Sequence, residues 1–250
     1  MDRDRIINFI NEYLDSKNIK DASQNGLQVE GRIEIKKIVF GVSASLELFQ
    51  RAVSAGADMI VVHHGLLWGR SSPIEGPFRK KLEALLNNGI TLAAWHLPLD
   101  KHPVAGNNAQ ILKFLGAGNL KPFGTYDGET IGFKGVFSRP RPVSEIATTL
   151  RHKLSAEIRP LNFGPKKIQT LGVVSGGGQR MFDQAIAAGL DLYITGEISE
   201  FVQETARENR ANFLSAGHYN TEKTGVWALE RLLRSKFRVK TEFIDVPNPA

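Results

Sequence analysis

The sequence contains no cysteine. Disulfides and thiolate catalysis are therefore excluded, and any bound metal has to be held by nitrogen and oxygen. Long apolar runs are also missing: no uninterrupted stretch is long enough to span a bilayer. The opening "MDRDRIINFINEYL" is charged and patterned as an amphipathic helix rather than a signal peptide. These absences lead us to expect a cytoplasmic protein with no membrane partner. Charge is not segregated either. The net charge is +6, but Lys and Arg are spread along the chain, and runs such as "FRKKLE" and "ERLLRSKFRVK" fall on helix or strand patterns, where they read as solvated faces. With 42% hydrophobic and 23% charged residues the composition is that of a folded globular protein, and 250 residues allow one large domain or two small ones.

What is present is an internal repeat. "VFGVSASLELFQRAVSAGADMIVVHHG" (39–65) is similar to "TLGVVSGGGQRMFDQAIAAGLDLYITGE" (170–197), and Ala52, Gly56 and Asp58 recur at a spacing of 133 as Ala185, Gly189 and Asp191. Each copy reads as strand, turn, helix, a tight Gly-containing connection and a second strand, a βαβ pattern that calls for parallel strands with a right-handed crossover. The pattern predicts an α/β protein of two related lobes, 1–125 and 126–250, with a C-terminal segment able to pack on the first. The turn-rich "FGTYDGET" marks the boundary near Gly124 to Gly128. Between the copies, "IGFKGVFSRPRPVSEIATTLRHKLSAEIRPL" reads as strand, helix, strand, with Ser144 as the helix N-cap.

The chemistry gathers where strands end. "MIVV" (59–62) lacks alternation, as suits a strand covered on both faces, and runs directly into His63 and His64. "ITLAAWHLPLD" (90–100) and "NFLSAGHYNTE" (212–222) both place His-x-x-x-acid after a strand, so His96 and Asp100 correspond to His218 and Glu222. His63 and His64 correspond to Gly196 and Glu197. In a parallel sheet the functional crevice lies at the carboxyl ends of the strands. Four imidazoles and three carboxylates there suit divalent zinc, iron, manganese, cobalt or nickel, and two ions rather than one. His102 and His152 read as ordinary surface or hydrogen-bonded residues.

Other features carry less. "VSGGGQR" places Gly176, Gly177 and Gly178 between a strand and a helix, either as an anion-binding loop or as a tight turn, without the Gly-Lys-Ser/Thr of a P-loop. Ser43 and Ser175 follow strands but lack the Gly-x-Ser-x-Gly elbow, which argues against a serine hydrolase. Trp68 and Trp95 flank the histidines and either wall a pocket, stack a base or pack in a core.

"VVHHGLLWG", "HLPLDKHPVAGNNAQ", "ITGE" and "SAGHYNTEKTGV", in this order, resemble the Nif-three-like family, whose members carry the name GTP cyclohydrolase 1 type 2 homologue. The likeness covers essentially the whole chain, in the compact bacterial form without an inserted domain. The resemblance implies two α/β lobes with a di-metal site between them at the C-terminal ends of strands, and assembly as a homohexamer. It assigns the metal ligands to His63, His64, Asp100, His218 and Glu222, with His96 and Glu197 near the site. The expected activity is that of a di-metal hydrolase opening the ring of a purine nucleotide, with His96 as the catalytic acid/base and the "SGGGQR" loop on the phosphates. A metal carrier without turnover and a nucleic-acid-binding ring are the alternatives.

Overall fold

The structure, a computed structural model, describes residues 1–69 and 73–249. The chain forms two compact units, one of Met1–Leu99 with Val226–Pro247 and the other built on Asp100–Gly225. Each has its own sheet.

The first unit opens with α1 (Arg3–Tyr13), capped by the Asp2 carboxylate on the Arg5 N–H, with Ile6, Ile7 and Ile10 buried on one face. There follow β1 (Gly26–Val29), β2 (Lys37–Ser43), α2 (Leu46–Ser54), β3 (Met59–His64), α3 (Gly76–Leu86) and β4 (Thr91–Ala94). The short α4 (Leu97–Asp100) leads to the second unit. The sheet has the order β1, β4, β3, β2 and then β11 (Lys240–Phe243), parallel except for the edge strand β1. Along β3, Met59 and Val61 join one hydrophobic cluster, with α1, Trp95 and Leu229, while Ile60 and Val62 join another, with Phe49, Leu85 and Leu92. Burial on both faces is why the strand shows no polar alternation.

The second unit contains α5 (Asn107–Leu115), β5 (Gly118–Tyr126), β6 (Glu129–Pro142), α6 (Val143–Leu154), β7 (Arg159–Asn162) and β8 (Lys167–Val174). It continues through α7 (Phe182–Ala187), β9 (Leu192–Thr195), α8 (Phe201–Glu208) and β10 (Asn212–Ser215) into α9 (His218–Lys236). The sheet order is β5, β6, β8, β9, β10, β7, with β8, β9 and β10 parallel and the others antiparallel. Leu171, Val173, Leu192, Ile194 and Leu214 face a core shared with α5 and α6. Phe182 stacks on Tyr193 and meets Phe213 edge-on, and with the tilted Tyr193–Phe213 contact the three form an aromatic group.

The repeat is visible in detail. Asp58 accepts the backbone N–H groups of Lys36 and Lys37, and Asp191, 133 positions on, accepts those of Gln169 and Thr170. In both copies the carboxylate after the helix ties down the entry of the preceding parallel strand, a pair of charge-assisted hydrogen bonds.

Two sequence expectations differ from what is found. The turn-rich segment at Gly124 to Gly128 is not a boundary. Asp127 and Gly128, both with positive φ, turn the hairpin between β5 and β6, as an Asp-Gly pair favours. The units divide at Leu99 and Asp100 instead, because α5 packs into the second core and Asn108 donates to the Ile131 carbonyl. Ser144 is not an N-cap: β6 runs on to Pro142, which occupies that position, and Ser144 lies in the first turn of α6.

Candidate functional site

In the first unit, β3 ends on His63 and His64, and His96 follows β4 by one residue beyond Trp95. One potential ligand atom from each of these three histidines lies within 4.8 Å of the others. The Nδ1 of each ring is engaged by an oxygen: that of His63 by the Trp95 carbonyl at 3.0 Å, that of His64 by Ser43 Oγ at 3.3 Å, and that of His96 by Asp21 Oδ1 at 2.9 Å. A carbonyl can only accept, so His63 carries its proton on Nδ1, which leaves Nε2 as the nitrogen able to act as a ligand. Metal-binding imidazoles are usually oriented this way, by an oxygen on the far nitrogen. His63 is fully buried, and His64 and His96 are half-buried. The side chain of Asp21 is buried too, although the residue as a whole is half-buried. Burial would raise its pKa, but hydrogen bonds from His96, Asn25 and Ser23 and the His96 charge overcome this and hold it well below the usual carboxylate range.

Trp68 and Trp95, equivalent in the sequence, part company here. Trp95 is fully buried in the core with its Nε1 donating to Asn11 Oδ1 at 2.9 Å. Trp68 is 37% exposed, edge-on to the His96 ring with centroids 4.9 Å apart, and 5.9 Å from the ring of His64.

In the second unit, Asp100 is buried and its Oδ1 accepts from Asn107 Nδ2 at 2.8 Å and from Ser175 Oγ at 2.9 Å. His218, the first residue of α9, lies between two carboxylates, with Nδ1 2.6 Å from Glu197 Oε1 and Nε2 3.1 Å from Glu222 Oε1. Burial opposes the charged ring, but the bonds to Glu222 and Glu197 win and raise its pKa to about 9. Glu197 is itself fixed by Gln179 Nε2 at 3.1 Å. The glycines of "SGGG" and "ITGE" permit close approach: a side chain at Gly176, where φ is +64°, would strike Glu222 Oε1, and one at Gly196 would come within 2.6 Å of the His218 Cα.

Of the seven residues expected at strand ends, the structure brings His63, His64 and His96 together in one unit, and His218, Glu197 and Glu222 in the other, where Asp100 is positioned by the Ser175 that follows β8. The Gly176 and Gly178 N–H groups donate to Thr221 Oγ1 and Thr195 Oγ1, each at 3.0 Å. These contacts favour the tight-turn alternative over a phosphate cradle. His102 Nδ1 accepts from the Val104 and Ala105 N–H groups, as a turn-capping residue does. His152 is exposed on α6. Sequence reasoning missed Asp21, Asn25 and Asn107; Asp21 stands 75 residues from its partner His96 in a loop without a metal-like spacing.

Two α/β sheets whose strand ends carry clustered imidazoles and carboxylates define a class of proteins suited to binding divalent metal. The chain belongs to the Duf34/NIF3 (NGG1p interacting factor 3) family, whose model matches residues 1–249. Two relatives, each called GTP cyclohydrolase 1 type 2 homolog, come from Pyrococcus abyssi, 46% identical over 99% of both chains, and Escherichia coli, 42% identical over 96% of both. Among solved structures, protein ybgI, described as of unknown function, superposes with a TM-score of 0.93 at 41% identity over 100% of both chains. Reduced HcgD from Methanocaldococcus jannaschii gives 0.87 at 25% identity over 98% of both.

Proposed function

We propose that the chain is a di-metal-dependent hydrolase of purine nucleotides, with ring opening of the GTP cyclohydrolase kind as the favoured reaction. The observation that carries this is the orientation of the imidazoles: His63, His64, His96 and His218 each have Nδ1 engaged by an oxygen, an arrangement that prepares Nε2 for a metal or a proton. The donor set fits a borderline divalent ion, since it is all imidazole and carboxylate. The proposed ligands are His63, His64, Asp100, His218 and Glu222, for two ions per chain.

When bound, the ions supply Lewis acidity and lower the pKa of a water. The remaining work falls to the side chains. Trp68, 37% exposed and beside His64 and His96, supplies an indole on which a purine can stack. Water adds across the C8–nitrogen double bond of the purine with His96 Nε2 relaying its proton; the other C8–nitrogen bond then breaks as the C8 hydroxyl becomes a formamide carbonyl, and the departing nitrogen takes up that hydroxyl's proton through His96, which ends in its starting state. The relatives' name supports the substrate class. Self-assembly as a homohexamer, implied by the resemblance, is part of the proposal, and a monomer by light scattering at micromolar concentration would count against it.

The test is loss of purine absorbance from GTP incubated with metal-replete protein. Turnover that needs both metal and His63 supports the reading. No turnover across a range of purine nucleotides and divalent ions, in a protein that binds and releases metal readily, would instead identify a metal carrier.

A further inference from the structure

Asp21 lies at the centre of four donors, two on each oxygen. Oδ1 accepts from the Ser23 N–H at 3.0 Å and from His96 Nδ1 at 2.9 Å; Oδ2 accepts from the Leu97 N–H at 2.9 Å and from Asn25 Nδ2 at 3.0 Å. Two of these are backbone N–H groups, which can only donate. The third is fixed as well, because Asn25 Oδ1 accepts the His96 N–H at 2.8 Å, and this turns the amide nitrogen towards Asp21. The side chain of Asp21 is 2% exposed, so no water is at hand to correct a mismatch.

We propose that Asp21 is the positioning residue for His96: it fixes the ring in the tautomer with the proton on Nδ1 and so presents Nε2 as the nitrogen that exchanges protons. With three fixed donors around an acceptor-only carboxylate, the fourth group must donate as well. The same contacts seat the ring through its backbone, since Asp21 and Asn25 hold the N–H groups of Leu97 and His96. The loop bearing Asp21 is itself anchored, with the Gln24 N–H donating to the Leu67 carbonyl and the Gly69 N–H to that of Ala22. This inference rests on the reading of His96 as the proton-transfer group, but the tautomer can be observed without substrate or turnover.

Asp21→Asn makes a directional prediction. The amide must place its NH2 where one carboxylate oxygen was. On the Oδ2 side it would oppose two fixed donors, Leu97 N–H and Asn25 Nδ2. On the Oδ1 side it opposes only the Ser23 N–H, provided that His96 moves its proton to Nε2 and accepts at Nδ1. The second arrangement is the less costly, so the substitution inverts the tautomer.

The experiment is solid-state NMR of metal-free protein labelled with 15N-histidine at pH 8.5, the His96 signals being assigned by difference with His96→Ala. We expect a protonated, pyrrole-type Nδ1 and a pyridine-type Nε2 in the wild type, and the reverse in Asp21→Asn. A wild-type His96 with its proton mainly on Nε2, or an Asp21→Asn variant with an unchanged tautomer, overturns the proposal. The wild-type spectrum is decisive by itself should Asp21→Asn fail to fold. If the tautomers are as expected but His96→Ala turns over substrate at the wild-type rate, the proton-transfer reading fails while the positioning by Asp21 stands.

Discussion

Glu197 Oε1 lies 2.6 Å from His218 Nδ1, on the side of the ring away from Glu222. The two carboxylates raise the His218 pKa from 6.5 to about 9 in the metal-free chain. A raised pKa stabilises the fold fully below about pH 6.5, and that contribution is lost as pH rises through about 9. The urea midpoint of metal-stripped protein should therefore fall between pH 6.5 and 9.5, and the fall should be smaller in Glu197→Gln. An identical decline in both proteins would remove the ion pair as its cause. With metal present, Glu197→Gln should weaken affinity by roughly tenfold to a hundredfold, the usual effect of disturbing the carboxylate behind a ligating imidazole, here by removing its charge while an amide oxygen remains, measured by chelator competition.

Metal content tests the ligand set directly. Wild-type protein should carry two divalent ions per chain by elemental analysis, and His63→Ala and Glu222→Ala should each lose metal. Circular dichroism should show the secondary structure retained, because His63 is the penultimate residue of β3 and Glu222 lies in the second turn of the 19-residue α9, whose remaining turns are untouched. Wild-type stoichiometry in both variants would dismiss the proposed ligands.

The two tryptophans separate stability from binding. Trp95→Ala empties a fully buried site and should cost about 3–5 kcal/mol in urea unfolding. Trp68→Ala should change stability by less than about 1 kcal/mol, as surface substitutions usually do. It should instead weaken GTP binding by about 1–3 kcal/mol, the range for losing one stacked base, which is roughly fivefold to 150-fold in Kd. Isothermal titration of both variants supplies the comparison. Unchanged GTP affinity in Trp68→Ala would place the purine elsewhere.

The repeat made much of the fold legible, since a spacing of 133 in Ala52, Gly56 and Asp58 recurs in structure as the same carboxylate binding the same two N–H groups. The candidate ligands were legible for a related reason: the histidines stand at or just beyond the ends of strands whose apolar runs are easy to see, with Asp100 and Glu222 four residues past His96 and His218. The division between units was not. Asp127 and Gly128 signal a turn, and a sequence does not say whether a turn joins two strands of one sheet or two domains. The supports of the site were hidden by distance along the chain. Asp21 and His96 meet only because one loop folds back over another, and Asn107 reaches Asp100 from the start of α5. Trp68 and Trp95 looked alike because exposure depends on which side of the sheet end the chain turns towards.

His96 divides the hydrolase from the carrier. In the repeat it occupies the position of His218, yet only His218 matches the expected ligands, so one imidazole of the pair is left for other work. Its setting suits proton transfer: Asp21 holds Nδ1 at 2.9 Å, and the ring lies 5.1 Å from His63 and 5.5 Å from His64 between centroids. If the protein is a hydrolase, His96→Ala should keep both ions and lower turnover by about a hundredfold or more, within the range for losing a general acid. If it is a carrier, the same change should alter metal affinity modestly and nothing else. GTP ring opening followed by absorbance, with metal content measured on the same samples, distinguishes them. An active wild type beside an equally active, fully metallated His96→Ala protein would end the proton-transfer role. A His96→Ala protein that has lost metal along with activity would show that this imidazole is a ligand, and that the three histidines of the first unit act as one set.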